Sequence, residues 1–267
     1  FDCVREAFDY LLNTCSLIIL PVTYHDDLYT PASGCIIQGS GRSVTLIRSV
    51  SGTMMDGLLD SEDPFYPPVI SISDVTLQNG EFVVIGGRAP GATGVMEVTL
   101  RETTLSGVDA NFRFGGGGDA DRMQVTLESV DLAGSGIRVE AQGGAIDLTI
   151  DGVNMAGGSI FLQASGIHTN TEMNSLFAPS TTIMLNRNSG GRQTVLLRDS
   201  TVAALDTRTV DYSASATVEN VHFTGAGVRT EHGEGSLTGS IADSTFDEGG
   251  VSAICRGPGA TDHDLAL

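Results

Sequence analysis

A sequence unit returns about every 23 residues along this chain, and a period of that length constrains the fold more than any single motif, because it belongs to solenoids rather than globules. The unit opens on an apolar residue, passes through polar and small ones, and closes on a second large apolar residue before a glycine-rich corner. Seven copies align: Leu77/Gly80/Phe82, Leu100/Thr103/Leu105, Leu127/Val130/Leu132, Ile150/Val153/Met155, Leu197/Ser200/Val202, Val218/Val221/Phe223 and Ile241/Ser244/Phe246. In four of them the next strand begins ten residues after the first anchor, at Ile137, Ile160, Val228 and Val251. A constant offset predicts a constant coil.

Val98-Thr99-Leu100 and Leu148-Thr149-Ile150 alternate with period 2 around β-branched and aliphatic anchors and read as strands; Gly134, Gly136, Gly157, Gly158, Gly225, Gly227, Gly249 and Gly250 read as corners. No helical pattern intervenes after about residue 15, so the strands lack the crossover helices of a doubly wound sheet. They can instead wind one turn per unit and stack turn on turn. The expected fold is all-β, a single-stranded right-handed parallel β-helix of about 9–10 coils. Like residues then stack, Leu77, Leu100, Leu127 and Ile150 in one column and Leu132 and Met155 in another. With strands about 4.8 Å apart, the rod is on the order of 45 Å long.

The solenoid reads as one domain, residues 17–267, led by a capping helix at residues 1–16, where Val4, Ala7, Phe8, Leu11 and Leu12 fall at helical spacing behind Asp2 as N-cap. Such a helix covers the open end of the core and protects the edge of the first strand, Leu17-Ile18-Ile19-Leu20. The pattern breaks near residues 51–68 and 163–182, and both stretches are expected to be lateral loops.

The run Cys3-Val4-Arg5-Glu6-Ala7-Phe8, then Leu17 through Tyr24, then Ile36 through Ile47 with its Gly39-Ser40-Gly41 turn, resembles the opening of pectin-lyase-like secreted β-helix proteins. Val22 and Thr23 stand where that group has a short glycine turn. The resemblance covers about the first 50 residues and the repeat texture. It implies a right-handed β-helix and an exported protein, extracellular or on the cell surface. It implies no single activity, because the group includes lyases, esterases, hydrolases, adhesins and inert stalks.

The chain carries 33 acidic residues against 14 basic ones, all of them arginine, for a formal charge of −19. That balance argues against nucleic acid and anionic membranes as partners and favours cations or basic partners. No apolar run is long enough for membrane insertion, and with Phe1 at the start the expectation is an export signal already removed. Four cysteines without metal-ligand spacing point to an oxidising compartment. Cys255 lies near the far end of the rod, beyond the roughly 7 Å reach of a disulfide. The expected bridge therefore joins Cys35 to Cys3 or Cys15 and pins the cap to the first coils.

Gln78, Arg101, Glu128, Asp151, Arg198 and Glu219 each follow a first anchor; Arg101 with Glu128 and Arg198 with Glu219 are expected to pair across successive coils. One position on, Asn79, Asp199, Asn220 and Asp243 are expected to form a turn or side-chain ladder. No catalytic set is assigned. A polysaccharide lyase needs clustered carboxylates holding Ca²⁺ and a basic residue nearby, and the residues available to one are Asp147 and Asp151 near Glu128 and Asp131, with Arg138 on the neighbouring strand. No cofactor is expected; Ca²⁺ has a candidate site at Asp119 and Asp121, behind the glycines 115–118. His222 and His232 read as solvated, the second in the Gly-rich corner Thr230-Glu231-His232-Gly233-Glu234.

The chain has no tryptophan and only 5 tyrosines, most of them outside the repeats, which weighs against an enzyme that stacks sugar rings on aromatics. The reading is a secreted or surface-exposed structural or adhesive β-helix protein, with glycan binding or an extracellular assembly as its role. The alternatives are a carbohydrate-active enzyme, lyase or glycoside hydrolase, acting on acidic polysaccharide, and a phage or appendage component. Ile241, Phe246, Val251, Leu265 and Leu267 lie at the far end of the rod, where no cap is evident, so the expectation is that another copy or another subunit covers that end or that the chain is part of a longer protein.

Overall fold

The computed structural model describes residues 15–30, 34–60, 69–87, 94–115, 121–165, 168–189, 191–210, 213–233, 235–255 and 260–266. Among these the chain is all-β, without a helix, and winds into a parallel β-solenoid of about 9 turns. Period-2 alternation does the work locally: along Asp121–Glu128 every second residue is buried, which sends Met123, Val125 and Leu127 inward and Arg122, Gln124 and Thr126 outward. Each turn presents three faces, and each face pairs in parallel with the same face of the turns before and after it.

The first face stacks Ile37, Ile72, Leu100, Leu127, Ile150, Met173, Leu197 and Val218 in register. On the second face the inward column is Ile47, Leu77, Leu105, Leu132, and Met155, and further along the rod Val202, Phe223 and Phe246. Leu77 thus belongs to the second face rather than to the column of Leu100, because strand Thr76–Gly87 pairs Leu77 with Leu105. On the third face Phe82, Ala110, Ile137, Ile160, Ile183, Leu205 and Val228 stack.

The corner between the first and second faces is a single left-handed residue. Asp74, Glu102, Ser129, Ser175, Asp199, Asn220 and Asp243 all take it, with φ between 47° and 58°. For residues other than glycine that conformation costs about 1 kcal/mol or more and persists only when the surroundings fix it. Neighbouring coils supply the fixing: the N–H of Glu102 donates to the Glu128 carbonyl (2.9 Å) and that of Ser129 to the Asp151 carbonyl (2.9 Å). The expected ladder is real for Asp199 and Asn220, whose Nδ2 donates to Asp199 Oδ1 at 2.6 Å. Asn79 is also left-handed but sits at the other corner, between the second and third faces, beside Gly107.

Three boundaries differ from the sequence reading. The lateral loop expected at 163–182 is a regular turn: His168–Asn174 lies in register with Ala145–Asp151, and Phe177–Ser189 pairs with Ile160–Ser165. Its inward residues include Thr169, Thr171 and Thr181, hydroxyls that do not read as core by hydropathy although all three are buried. The excursion in it is small: between Ala178 and Thr182 the strand bulges against its partner, the coil of Thr224 bulges likewise, and Thr224 Oγ1 donates to the Pro179 carbonyl at 2.5 Å. In the stretch 51–68, residues Thr53–Asp60 form a strand of the third face, and 61–68 lie outside the described residues. Of the helix expected at 1–16, residues 1–14 lie outside the described residues, while Cys15 already begins strand Cys15–Ile18.

Candidate functional site

The outward side of the third face carries a groove of about 350 Å³ lined by Glu81, Asp109, Asn111, Arg113, Arg138, Ser159 and Phe161, among others. Four consecutive turns build it. Strand Thr76–Gly87 places Glu81 opposite Asp109 of Thr104–Gly115; that strand sets Asn111 opposite Arg138 and Arg113 opposite Glu140; and Arg138 lies opposite Phe161 of Ile160–Ser165. Because these residues project from one rigid parallel sheet, their mutual positions follow from register alone.

Asn111 points outward by alternation yet is only 7% exposed, which makes it the floor. Its Nδ2 donates to Glu81 Oε1 at 2.5 Å, while Asp109 Oδ1 accepts the N–H of Gly136 at 2.8 Å. Gly136 keeps the floor open: a Cβ there would lie 3.3 Å from the Ser159 carbonyl and 3.4 Å from Asp109 Oδ1. Arg138 is fixed twice. Its Nε and Nη2 donate to Glu140 Oε1 (2.8 and 2.5 Å), and its guanidinium sits 5.0 Å from the centre of the Phe161 ring. Glu140 Oε2 also faces Arg113 Nε at 3.5 Å. The lining charges balance, with Glu81 and Asp109 against Arg113 and Arg138. The result is a wall of alternating fixed donors and acceptors, suited to a ligand with many hydroxyls.

The residues that the sequence made available to a lyase are spread over the rod. Arg138 is in the groove, but Glu128 pairs with Arg101 (3.4 Å), Asp147 with Arg122 (3.2 Å) and Asp131 with Arg42 (2.9 Å). Glu128, Asp147 and Asp151 lie on the first face and Asp131 on the second. The two expected cross-coil pairs form: Arg101 with Glu128, and Arg198 with Glu219 at 3.2 Å. Asp119 lies outside the described residues, and Asp121 is buried at 4% exposed. Among the described residues no cluster of three or more His, Cys, Asp and Glu side chains could hold a metal. His222 is on the surface, with Nδ1 2.8 Å from Thr245 Oγ1 and Nε2 3.3 Å from Asp247. His232 is not solvated: with Val228 and Thr230 it takes the inward phase of its strand and is 1% exposed.

Sequence reading missed Glu81, Asp109, Asn111 and Arg113. Their signal was the alternation of Asp109, Asn111 and Arg113 between Val108, Ala110, Phe112 and Phe114, but the irregular spacing before residue 94 hid which turn they faced. Compared with known proteins, the chain matches no family model, no curated protein and no solved structure.

Proposed function

We propose that this chain is an exported or surface-exposed rod of the pectin-lyase-like kind, structural or adhesive in role, that binds glycan in the groove of its third face. The groove carries the reading: it offers fixed guanidinium, amide and carboxylate groups side by side, and its carboxylates are already engaged, Glu81 by Asn111 and Asp109 by the Gly136 N–H. Calorimetric titration with neutral and uronate-containing oligosaccharides, with and without Ca²⁺, tests it. Binding that weakens tenfold or more in Arg138→Ala and Asn111→Ala is the expected result; no binding to any glycan rejects it.

One observation favours a second reading, a carbohydrate-active enzyme. Glu81 and Asp109 face each other on adjacent strands, the kind of carboxylate pair a glycosidase uses. Release of reducing ends or of unsaturated uronate product, lost in Asp109→Asn, would move the chain to that class.

Two further proposals concern assembly. Cys15 lies in register with Cys35 across the first two turns, which favours Cys15 over Cys3 as the partner of Cys35 and an oxidising compartment. At the far end Phe246 and Val251 are only half buried and Ile241 is 9% exposed, which suits an end-on contact with another copy or another subunit; the side chains of Leu265 and Leu267 lie outside the described ones. Sedimentation of the full chain at rising concentration tests the contact, and a strictly monomeric protein rejects self-association.

A further inference from the structure

Inward positions alternate along every strand, so the lining of the lumen can be followed column by column. On the third face one column runs Phe114, Ala141, Ala164, Arg187, Thr209, His232, and its neighbour runs Phe112, Val139, Leu162, Leu185, Thr207, Thr230. On the first face Met123 and Ile146 give way to Thr169 and Gln193, and Val125 and Leu148 give way to Thr171. Polar side chains therefore enter both walls over the same turns. Thr169, Thr171, Gln193, Thr207, Thr209 and Thr230 are each at most 4% exposed.

Arg187 joins the walls. Its Nη1 donates to the Arg192 carbonyl at 2.9 Å and reaches Thr169 Oγ1 at 3.5 Å. Burial pushes its guanidinium down to about 10, so it stays charged at neutral pH. Volume is given up on the same stretch, because Ala214 and Ala216 follow in the two first-face columns that earlier held Met123 and Ile146, and Val125 and Leu148.

Six side-chain atoms of these turns meet no hydrogen-bonding group among the described residues: Thr171 Oγ1, Thr181 Oγ1, Gln193 Oε1, Gln193 Nε2, Thr209 Oγ1 and Thr230 Oγ1. A buried polar atom left bare loses its hydration without compensation. Six of them would offset most of the narrow margin that separates a folded domain from its unfolded chain. An occupant of this space must donate to Gln193 Oε1 and accept from Gln193 Nε2. A bare anion can only accept, and a metal ion satisfies only the oxygen. Water does both.

We propose that the lumen between the turns of Thr169 and Thr230 is a binding site for ordered water, which bridges the Gln193 amide to the hydroxyls around it. At about three hydrogen bonds per buried molecule, six atoms call for roughly two waters. This site is separate from the surface groove and does not depend on a glycan-binding role.

Oxygen-17 and deuterium relaxation dispersion of the solvent counts waters held longer than the tumbling time of the protein, and the full chain in solution is the sample. The triple variant Gln193→Leu/Thr209→Val/Thr230→Val is expected to lose about two long-lived waters relative to wild type. Thr209→Val alone, isosteric and tolerable should the triple variant not fold, loses about one. Thr126→Val, which faces outward, loses none. Equal dispersion in wild type, the triple variant and Thr209→Val overturns the proposal. So does an amplitude that tracks chloride concentration, which would assign the space to an anion.

Discussion

The turns between Ile37 and Leu162 and those between Thr169 and His232 share one backbone design and most of their apolar columns, but only the second set admits polar side chains to two walls of the lumen. In the first set Phe82 and Phe112 meet edge to face at 6.0 Å within an apolar core, and buried hydroxyls are bonded to the backbone: Thr103 Oγ1 donates to the Arg101 carbonyl (2.8 Å), and Ser135 Oγ accepts the Val108 N–H (3.0 Å). In the second set Ser200 Oγ still accepts the Leu176 N–H (3.1 Å), but among the described residues the hydroxyls of Thr171, Thr209 and Thr230 and the Gln193 amide have no such partner. On the first face register does not change across the boundary, with Ala145–Asp151 pairing residue for residue with His168–Asn174, and on the third face it slips only at the strand end, between Ala164 and Ser165. The parallel ladder and its corners thus define the coil, and side-chain packing sets how stable each coil is. In a solenoid those stabilities add along one dimension, so the two sets can differ without disturbing each other's shape.

The largest effect should come from placing a charge in the dry columns. Ile150→Asp buries an unpaired carboxylate and is expected to cost more than about 3 kcal/mol, enough to unfold or aggregate the chain, whereas Glu128→Ala beside it costs about 0–1 kcal/mol. A thermal melt separates them, and equal effects would break the assigned register. Next comes the contrast between halves. Phe112→Ala leaves a cavity in close-packed apolar surroundings and should cost about 3–5 kcal/mol, while Thr207→Val in the polar stretch should stay within about 1 kcal/mol of wild type in denaturant titration.

Backbone tests sharpen the comparison. Gly158 has φ +86°, and a Cβ there would lie 2.1 Å from the Ser135 carbonyl; Gly227 has φ +80°, with its Cβ 2.3 Å from the Gly250 carbonyl. Alanine at either site adds a backbone clash to left-handed strain and should cost a similar amount, about 3 kcal/mol or more, and a large difference would mean that the ladder is not equivalent in the two halves.

The smallest effect is a pH dependence confined to the first turns. Burial alone would raise the Asp27 carboxyl, but hydrogen bonds from Ser49, Ser51 and the Val50 N–H outweigh it and hold Asp27 below its ordinary value. A carboxylate lowered in the folded state adds stability above its unfolded pKa, and that stability is lost as pH falls through the folded one. Protection factors of the amides near Leu46–Arg48, which are corrected for the intrinsic pH dependence of exchange, should therefore fall on acidification in wild type and fall less in Asp27→Asn.

The coil period, the strand faces and the cross-coil pairs of Arg101 and Arg198 were legible because aliphatic anchors at fixed spacing leave a strong pattern. The turn of Thr169, Thr171 and Met173 was not, because a buried threonine is indistinguishable from a surface one when only hydropathy is read. His232 was misread for the same reason. The groove was hidden differently. Its residues are ordinary outward positions of four strands, and only register, set by insertions of unequal length, brings Glu81, Asp109, Asn111 and Arg138 to one place.

The ladder also has a mechanical meaning. Its hydrogen bonds run from turn to turn, along the rod rather than around it, as the Glu102-to-Glu128 and Ser129-to-Asp151 links show. A pull applied to the two ends of the chain therefore loads the terminal turn first and peels it from its neighbour, one coil at a time, instead of shearing many bonds together. Resistance is then set by the weakest turn reached so far, and the extension trace should be a series of similar steps whose heights record what fills each coil.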